Sequence, residues 1–248
     1  MAIKELKSFG RLLYVRTFRL LNFVLHLYWV AKSFFFRMTL RQHQQMFATT
    51  LSSRTFVINL ARRVDRLEEA QKTMQSCGID NWIRVDAISN DNGALGCALS
   101  HKLALQTALE CTEEFFMIFE DDVVPDQSFN QKLFSSLLTE FSQNEKFAVM
   151  CFAFSSDSNG IRVSENLLLD DEIITAAAYV IKRKYVSILQ NTFSSSIDLL
   201  ENGVVNRLAA IDIRWILTQK RIYFVRPAQP IFAQKPGWSD IENMNVNY

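Results

Sequence analysis

Short, uninterrupted apolar runs alternate with amphipathic segments between residues 55 and 154. The runs are rich in Phe, Val and Ile, which is typical of strands that are buried on both faces of a sheet. The segments between them place apolar residues at helical spacing, as at Leu67, Ala70 and Met74. This order of elements predicts an α/β fold with a mostly parallel sheet and right-handed crossovers. Strands are predicted at 55–60, 82–85, 115–119 and 147–154, and helices at 67–76, 96–110 and 128–142.

The pattern changes after residue 154. Residues 155–171 are polar, with several Ser and Asp residues, and predict a loop or a variable insertion on the acceptor side of a site. A strand of small residues is predicted at 173–181, followed by a helix at 183–190. The last strand is predicted at 222–225.

Three consecutive carboxylates, Glu120, Asp121 and Asp122, follow the apolar run at 115–119. They therefore lie at the carboxyl end of a predicted strand, where ligands bind in open α/β sheets. Adjacent buried carboxylates repel one another and call for a countercharge. Oxygen ligands favour magnesium or manganese, and such a cation is suited to hold a diphosphate. The alternative interpretation is a solvated acidic turn.

The charge of the chain is unevenly distributed, although the net charge is only +1. Residues 1–41 hold eight Lys or Arg and one acid, whereas the remainder holds 19 basic and 25 acidic residues. The longest uncharged run in this segment has twelve residues, 20–31, which is too short to span a bilayer. On a helical wheel the basic and apolar residues gather on opposite sides, which is typical of a helix in a membrane interface.

The sequence therefore predicts two parts: a basic amphipathic N-terminal segment, 1–50, that contacts a membrane peripherally, and a catalytic domain, 51–248. Packing of that helix on the domain and a tilted span are the alternatives. Nucleic acid is not expected as a partner, because the rest of the chain is acidic. No small-residue cleavage site follows the apolar segment, and the four cysteines show no C-x-x-C pairing. We thus expect free thiols and a cytoplasmic location at the inner face of a membrane.

The motifs of the catalytic domain resemble glycosyltransferase family 25, the lipopolysaccharide and procollagen galactosyltransferase family. Three pieces carry the resemblance: Val-Ile-Asn-Leu at 57–60 with Arg63, Asp65 and Arg66 after it, Gly-Cys-Ala-Leu-Ser-His at 96–101, and Ile-Phe-Glu-Asp-Asp-Val at 118–123. Their order and spacing also fit, and the resemblance extends over roughly 54–245. It implies a GT-A-type fold, with a nucleotide-binding sheet flanked by helices.

The resemblance also implies a nucleotide-diphosphate-sugar donor, with UDP-galactose as the expected one, and positions for the residues that bind it. It places Asn59, Arg63 and Arg66 near the nucleotide, Asp86 by the base or ribose, Ser100 and His101 beside the sugar donor, and Glu120 and Asp121 at the donor. Without the resemblance, the arginines are ordinary surface charges and His101 is a structural histidine or a general acid or base.

The implied cofactor is a manganese ion, or magnesium, with Asp122 as its direct ligand and Glu120 nearer the ribose or a metal-bound water. Many transferases of this fold use a late histidine as a third ligand, but this chain has no histidine after His101. Asp240 or water would take that position. An inverting transfer needs one base to deprotonate the acceptor hydroxyl. Asp212 is the first candidate for this base, and Asp198 is the second. Alternatively, Asp212 is a charge at a helix N-terminus.

These inferences predict a metal-dependent hexosyltransferase that moves galactose to a glycan acceptor, with inversion, in lipopolysaccharide or surface-glycan synthesis. A non-catalytic glycan or nucleotide-sugar binding module of the same fold is the first alternative. A glycoside hydrolase with paired carboxylates is the second, although adjacent carboxylates do not face each other across a bond.

Overall fold

A computed structural model describes residues 31, 53–239 and 244–246. The described part of the chain is built on a central sheet of eight strands, with two small two-stranded sheets beside it. In chain order the strands are β1 (Ser53–Asn59), β2 (Trp82–Asp86), β3 (Phe115–Glu120), β4 (Val123–Pro125), β5 (Phe147–Cys151), β6 (Ile161–Arg162), β7 (Leu167–Asp170), β8 (Ala178–Lys182), β9 (Tyr223–Pro227), β10 (Phe232–Gln234), β11 (Gly237–Ser239) and β12 (Met244–Val246).

The central sheet has the order β2-β1-β3-β8-β5-β9-β7-β6. The pairs β1–β2, β1–β3 and β5–β9 are parallel. Strand β8 runs antiparallel to both β3 and β5, and β7 runs antiparallel to both β9 and β6. Six of the eight strands therefore point the same way, and the predicted α/β class with a mostly parallel sheet is confirmed.

The helices of the described region are α1 (Val64–Ser76), α2 (Gly93–Glu110), α3 (Gln131–Gln143), α4 (Val186–Glu201), α5 (Asn206–Ala209) and α6 (Ile211–Gln219), with a 3₁₀ turn at Arg183–Tyr185 before α4. Helix α2 starts earlier than predicted, because Asn92 caps it by accepting hydrogen bonds from the amides of Ala94 and Leu95. Asn130 caps α3 in the same way, by accepting a hydrogen bond from the amide of Leu133.

Apolar layers form the core on the two sides of the sheet. On one side α2, α4 and α6 contribute to a single buried cluster, in which Trp215 and Phe193 are among the largest fully buried side chains. On the other side the rings of Phe119, Phe152 and Phe232 contact one another, with centroids 5.3–6.2 Å apart. This second cluster ties β10 to the sheet, and β10 pairs with β4 directly after the acidic residues.

Two segments after residue 154 differ from the predictions. Part of the predicted polar loop at 155–171 forms strands β6 and β7, because Asp170 turns inward to a buried ion pair with Arg226, 2.6 Å away. The predicted strand at 173–181 starts only at Ala178. Thr175 interrupts it with a φ of 81°, a left-handed conformation that a strand does not accommodate.

Several predictions concern residues outside the described part of the chain. These are the amphipathic membrane segment 1–50, the boundary between it and the catalytic domain, and the metal-ligand role of Asp240; all three stay predictions. Among the described residues, no helix is long and apolar enough to cross a membrane. The four cysteines are free thiols in this structure, as expected.

Candidate active site

The candidate site is a cavity at the carboxyl ends of β1 and β3, and the acidic residues 120–122 form part of its wall. Arg62 and Arg66 line it from the loop after β1 and from α1. The loop after β2 and the start of α2 form the opposite wall, and Gln234 and Ser239 reach it from the last strands. Residues that are far apart in the sequence therefore meet at the sheet edge where ligands of such folds bind.

Asp121 is held inside the protein by the first strand and the first helix. Asn59 at the end of β1 donates to Asp121 Oδ2 at 2.7 Å, and Arg66 donates to Asp121 Oδ1 at 3.1 Å. The amide oxygen of Asn59 accepts from Nε of Arg84 at 3.0 Å. Burial raises the pKa of Asp121, and the Asn59 hydrogen bond opposes that increase. Both oxygens of Asp121 are thus engaged by protein groups.

Asp122 is the carboxylate with an unused oxygen. Its Oδ2 accepts from Arg66 at 3.3 Å, but its Oδ1 is buried and has no hydrogen-bond partner among the described residues. Burial, followed by the charge of Glu120, raises the pKa of Asp122 to about 7. A buried acceptor without a partner is costly, and a positive ion satisfies it directly. The donor set and this orphaned oxygen therefore fit a divalent cation.

Glu120 uses its two oxygens differently. Oε2 accepts from Nε2 of Gln234 at 3.1 Å, while Oε1 lies 3.1 Å from Nε2 of His101 and 3.7 Å from Sγ of Cys97. The His101 ring is buried, stacks on Tyr179 and has Nδ1 3.3 Å from the Tyr179 hydroxyl. This chain of contacts fixes the orientation of His101 beside the cavity.

Ser100 shapes the wall of the cavity. It is 2% exposed, donates from Oγ to the carbonyl of Gly96 at 2.6 Å, and accepts from the amide of Ile88 at 2.8 Å. A Cβ at Gly96 would lie 2.8 Å from the carbonyl oxygen of Ile88, so only glycine allows this approach. The Gly-Cys-x-x-Ser-His motif thus joins the start of α2 to the loop after β2.

Asp212 lies in the first turn of α6, where its Oδ2 accepts from the amide of Thr175 at 3.1 Å. Burial raises the pKa of Asp212, and the charge of Glu120 adds to that increase. Asp212 is not one of the described residues that line the cavity, but its charge contributes to the raised pKa of Cys97, which does line it. Asp212 is therefore a half-buried carboxylate outside the described lining of the cavity.

The predicted site residues fall into two groups in the described part of the chain. Those that line the cavity are Arg66, Ser100, His101, Glu120, Asp121 and Asp122. Asn59 lies behind Asp121, Arg63 pairs with exposed Asp65 at 2.8 Å, and Asp86 is exposed with Arg84 at 2.9 Å. The structure does not bring Arg63 and Asp86 to the cavity wall.

Sequence reasoning gave no role to three residues that organise this site: Cys97, Tyr179 and Gln234. Cys97 and His101 are four residues apart in a predicted helix, a spacing that places both on one face and could have linked them. Gln234 and Tyr179 had no such signal, because they reach Glu120 and His101 only through the folding of distant segments.

The fold is of the GT-A type, an α/β fold, and its acidic cavity lies at the carboxyl ends of the strands. The sequence adds the family: residues 90–201 match glycosyltransferase family 25, described as an LPS biosynthesis protein. The match includes the Gly-Cys-Ala-Leu-Ser-His and acidic motifs, so it confirms the family resemblance over that segment.

The chain is similar to several solved structures at low sequence identity, and the first one named here supports the fold. A glycosyltransferase involved in glycosylation of the major capsid of PBCV-1 has a TM-score of 0.51 and 11% identity, covering 77% of this chain and 96% of that chain. A197 from STIV has a TM-score of 0.42 and 12% identity, covering 70% and 80%. A Drosophila β1,4-galactosyltransferase 7 mutant in complex with manganese, UDP-Gal and xylobiose has 0.42 and 11%, covering 73% and 70%. No curated protein sequence matches the chain.

Proposed function

We propose that this protein transfers a hexose, with galactose as the first candidate, from a nucleotide-diphosphate sugar to a glycan acceptor. The proposed transfer inverts the anomeric centre and serves lipopolysaccharide or other surface-glycan synthesis. The observation that carries this proposal is the buried, unpartnered Oδ1 of Asp122, next to two further acidic residues in a cavity that two arginines also line. That combination suits a cation and a diphosphate together.

Asp122 would hold the divalent cation, with Glu120 beside it and Asp240 as a further candidate ligand. Bound manganese or magnesium would supply a Lewis acid that neutralises the charge of a departing nucleoside diphosphate. Arg66 already spans Asp121 and Asp122 and lines the cavity, so its guanidinium is placed to bind phosphate oxygens as well.

Two further residues would place the sugar of the donor and remove the proton of the acceptor. His101 is held by Glu120 and Tyr179 and would position the sugar of the donor. Asp212 would accept the proton of the acceptor hydroxyl, since its burial raises its pKa and makes it a stronger base. The amide of Thr175 donates to Oδ2 of Asp212 at 3.1 Å and so fixes the orientation of this carboxylate.

Donor binding and turnover test the proposal directly. Thermal stability of the full-length protein would be measured with uridine and guanosine diphosphate sugars, with and without Mn²⁺, followed by transfer to glycan acceptors. We expect stabilisation by a uridine diphosphate sugar only with Mn²⁺. Asp122→Asn keeps the shape of the side chain but removes its charge. It should reduce the Mn²⁺-dependent affinity for the donor, read from the thermal stabilisation, and the transfer rate by at least about 100-fold each.

Asp80→Asn is the matched control, because Asp80 is an exposed aspartate outside the cavity, and it should behave like the wild type. If Asp122→Asn retains metal-dependent stabilisation and transfer, the proposal is wrong. Donor binding without transfer to any acceptor would support the binding-module alternative, and sugar release without a nucleotide donor would support a hydrolase.

We further propose that residues 1–50 hold the enzyme at the inner, cytoplasmic face of a membrane, close to a glycolipid acceptor. Support comes from the basic and apolar composition of this segment, with eight basic residues and one acid in 1–41. Binding of the full-length protein to anionic vesicles is the measurement that tests this contact.

A further inference from the structure

Three side chains of different chemistry converge in the cavity next to the acidic residues. Cys97 and His101 lie one turn apart on α2 and present Sγ and Nε2 on the same side, while Glu120 presents Oε1 from the end of β3. Oε1 lies 3.7 Å from Sγ and 3.1 Å from Nε2, and all three donor atoms lie within 4.8 Å of one another.

The two separations that involve Glu120 Oε1 are close to those between ligands of a tetrahedral zinc ion. Zinc is bound by sulfur at about 2.3 Å and by nitrogen or oxygen at about 2.0–2.2 Å. At tetrahedral angles these bond lengths place the donor atoms roughly 3.3–3.6 Å apart. Without an ion, the thiol of Cys97 is only a weak hydrogen-bond donor to this carboxylate oxygen, and the contact of the His101 ring depends on which ring nitrogen carries the proton.

Neighbouring groups hold the ligands in the orientation that a metal requires. The Tyr179 hydroxyl lies 3.3 Å from Nδ1 of His101, which leaves Nε2 as the ring nitrogen that faces Cys97 and Glu120. Gln234 donates to Oε2 of Glu120 at 3.1 Å, so Oε1 is the oxygen left for an ion. Partners of this kind fix metal ligands in known sites and raise their affinity.

We propose that Cys97, His101 and Glu120 form a binding site for a thiophilic divalent ion, with Zn²⁺ as the reference ion. A sulfur and a nitrogen ligand distinguish it from the all-oxygen position at Asp122, because soft ligands select zinc-like ions over magnesium or manganese. All three ligands line the cavity, which leaves a fourth coordination position open to water or a bound ligand.

One consequence concerns activity, and it rests on the proposed function. Glu120 would be shared between this site and the donor, so occupancy by zinc would withdraw it from the donor. Micromolar Zn²⁺ is therefore expected to inhibit the transfer that Mn²⁺ supports. The existence of the site does not depend on this consequence, and it can be tested on a protein with no measurable transferase activity.

Cobalt substitution tests the site directly. Untagged, full-length protein would be stripped with a chelator and titrated with Co²⁺ while its absorption spectrum is recorded. We expect one equivalent of Co²⁺ to give an intense near-ultraviolet thiolate-to-cobalt band and visible bands of tetrahedral cobalt, both removed by stoichiometric Zn²⁺. Excess Mn²⁺ should leave these bands in place.

Variants identify the ligands. Cys97→Ser should abolish the thiolate band and lower the affinity for Co²⁺ by about 10–100-fold. Cys111→Ser is the matched control, because Cys111 directly follows the same helix, its Sγ is hydrogen-bonded to the carbonyl of Thr107, and it does not line the cavity; it should keep the full spectrum. Asp122→Asn should also keep it, since that residue belongs to the oxygen-ligand position.

Circular dichroism and thermal melting would show whether each variant folds, and Cys97→Ala provides a second variant if Cys97→Ser does not. Absence of tetrahedral bands in the wild type, or a thiolate band that persists in a folded Cys97 variant, would overturn the proposal. So would loss of the bands on addition of Mn²⁺, because the site would then lack the expected preference for soft ions. Failure of donor binding would leave these spectra unchanged, so the two proposals fail separately.

Discussion

At the scale of single residues, Thr175 has a strained backbone, since it is the non-glycine residue with a positive φ in the described part of the chain. Its φ of 81° is a left-handed conformation, which costs a residue with a side chain about 1–2 kcal/mol. The contact that accompanies this strain is the hydrogen bond from its amide to Asp212, 3.1 Å long. Strained residues of this kind cluster at functional sites, where the surroundings hold them in place. The strain therefore supports a functional role for Asp212.

Asp212→Asn separates the structural role of this residue from its catalytic role. Asparagine keeps a carbonyl oxygen that can accept the Thr175 amide, but it cannot act as a base. We expect the melting temperature to stay close to that of the wild type, while kcat for transfer falls by about 10²–10⁴-fold. Steady-state kinetics and thermal melting of the same preparation provide the check.

Asp198→Asn is the matched control, since Asp198 was the second candidate for the base and lies exposed on α4. Its kcat should equal that of the wild type. Equal losses in the two variants, or a wild-type kcat in folded Asp212→Asn, would show that Asp212 is not the base.

At the scale of secondary-structure elements, the hairpin of β6 and β7 depends on one buried ion pair. Asp170 is 1% exposed and accepts from Nε of Arg226 on β9 at 2.6 Å and from the hydroxyl of Ser156 at 2.9 Å. The Arg226 guanidinium also lies 4.9 Å from the centre of the Phe154 ring and donates to the carbonyl of Ser158 at 2.8 Å. These contacts attach the edge of the sheet to its centre.

Removal of one partner would leave the other charge buried without compensation. Asp170→Ala should therefore lower the free energy of unfolding by about 3–5 kcal/mol, as measured by urea denaturation. Asp157→Ala, which changes an exposed aspartate near the same hairpin, should stay within about 0.5 kcal/mol of the wild type. A loss below about 1 kcal/mol for Asp170→Ala would contradict the role given to the pair.

The same hairpin shows what the sequence could not reveal. Apolar runs and helical spacing predicted β1, β2, β3 and β5 and the helices between them, because these elements are encoded by local patterns. Residues 155–171 looked like a loop, since the ion pair that orders them joins Asp170 to Arg226, far along the chain. The antiparallel insertion of β8 between β3 and β5 is likewise set by long-range packing, which no local pattern records.

In the candidate site, too, some features could be predicted from the sequence and others could not. The family resemblance, and not a local pattern, assigned the acidic residues and the motif at 96–101 to one donor site, and residues of both line the cavity. The hydrogen bonds of these carboxylates were not predictable from the sequence. Asn59 donates a hydrogen bond to Asp121, whereas Oδ1 of Asp122 has no hydrogen-bond partner among the described residues. The contact of Gln234 with Glu120 spans 114 residues of sequence.

At the scale of the whole molecule, the charge asymmetry predicts how the protein distributes between water and membranes. Each basic residue near an anionic surface contributes about 1 kcal/mol of binding free energy. Reversal of Arg11, Arg16 and Arg19 to Glu should therefore weaken binding to phosphatidylserine-containing vesicles by at least about 100-fold. Vesicle sedimentation of the full-length protein measures this effect, and binding of the wild type should fall as salt is added.

Reversal of three exposed basic residues of the catalytic domain, Lys72, Lys132 and Arg207, changes the net charge equally and is the matched control. This control should retain binding. If both triple variants bind as weakly as each other, net charge rather than the N-terminal segment governs the interaction. If neither loses binding, the membrane contact lies elsewhere.

The return of β10 to the acidic turn has a consequence for the way the enzyme is made. Gln234 contacts Glu120, the amide of Lys235 donates to the carbonyl of Asp122 at 2.8 Å, and Arg66 donates to the carbonyl of Trp238. A ribosome-bound chain that ends before β10 can assemble much of the sheet, but it lacks one wall of the cavity. The cavity is thus completed only late in synthesis, when the last strands emerge.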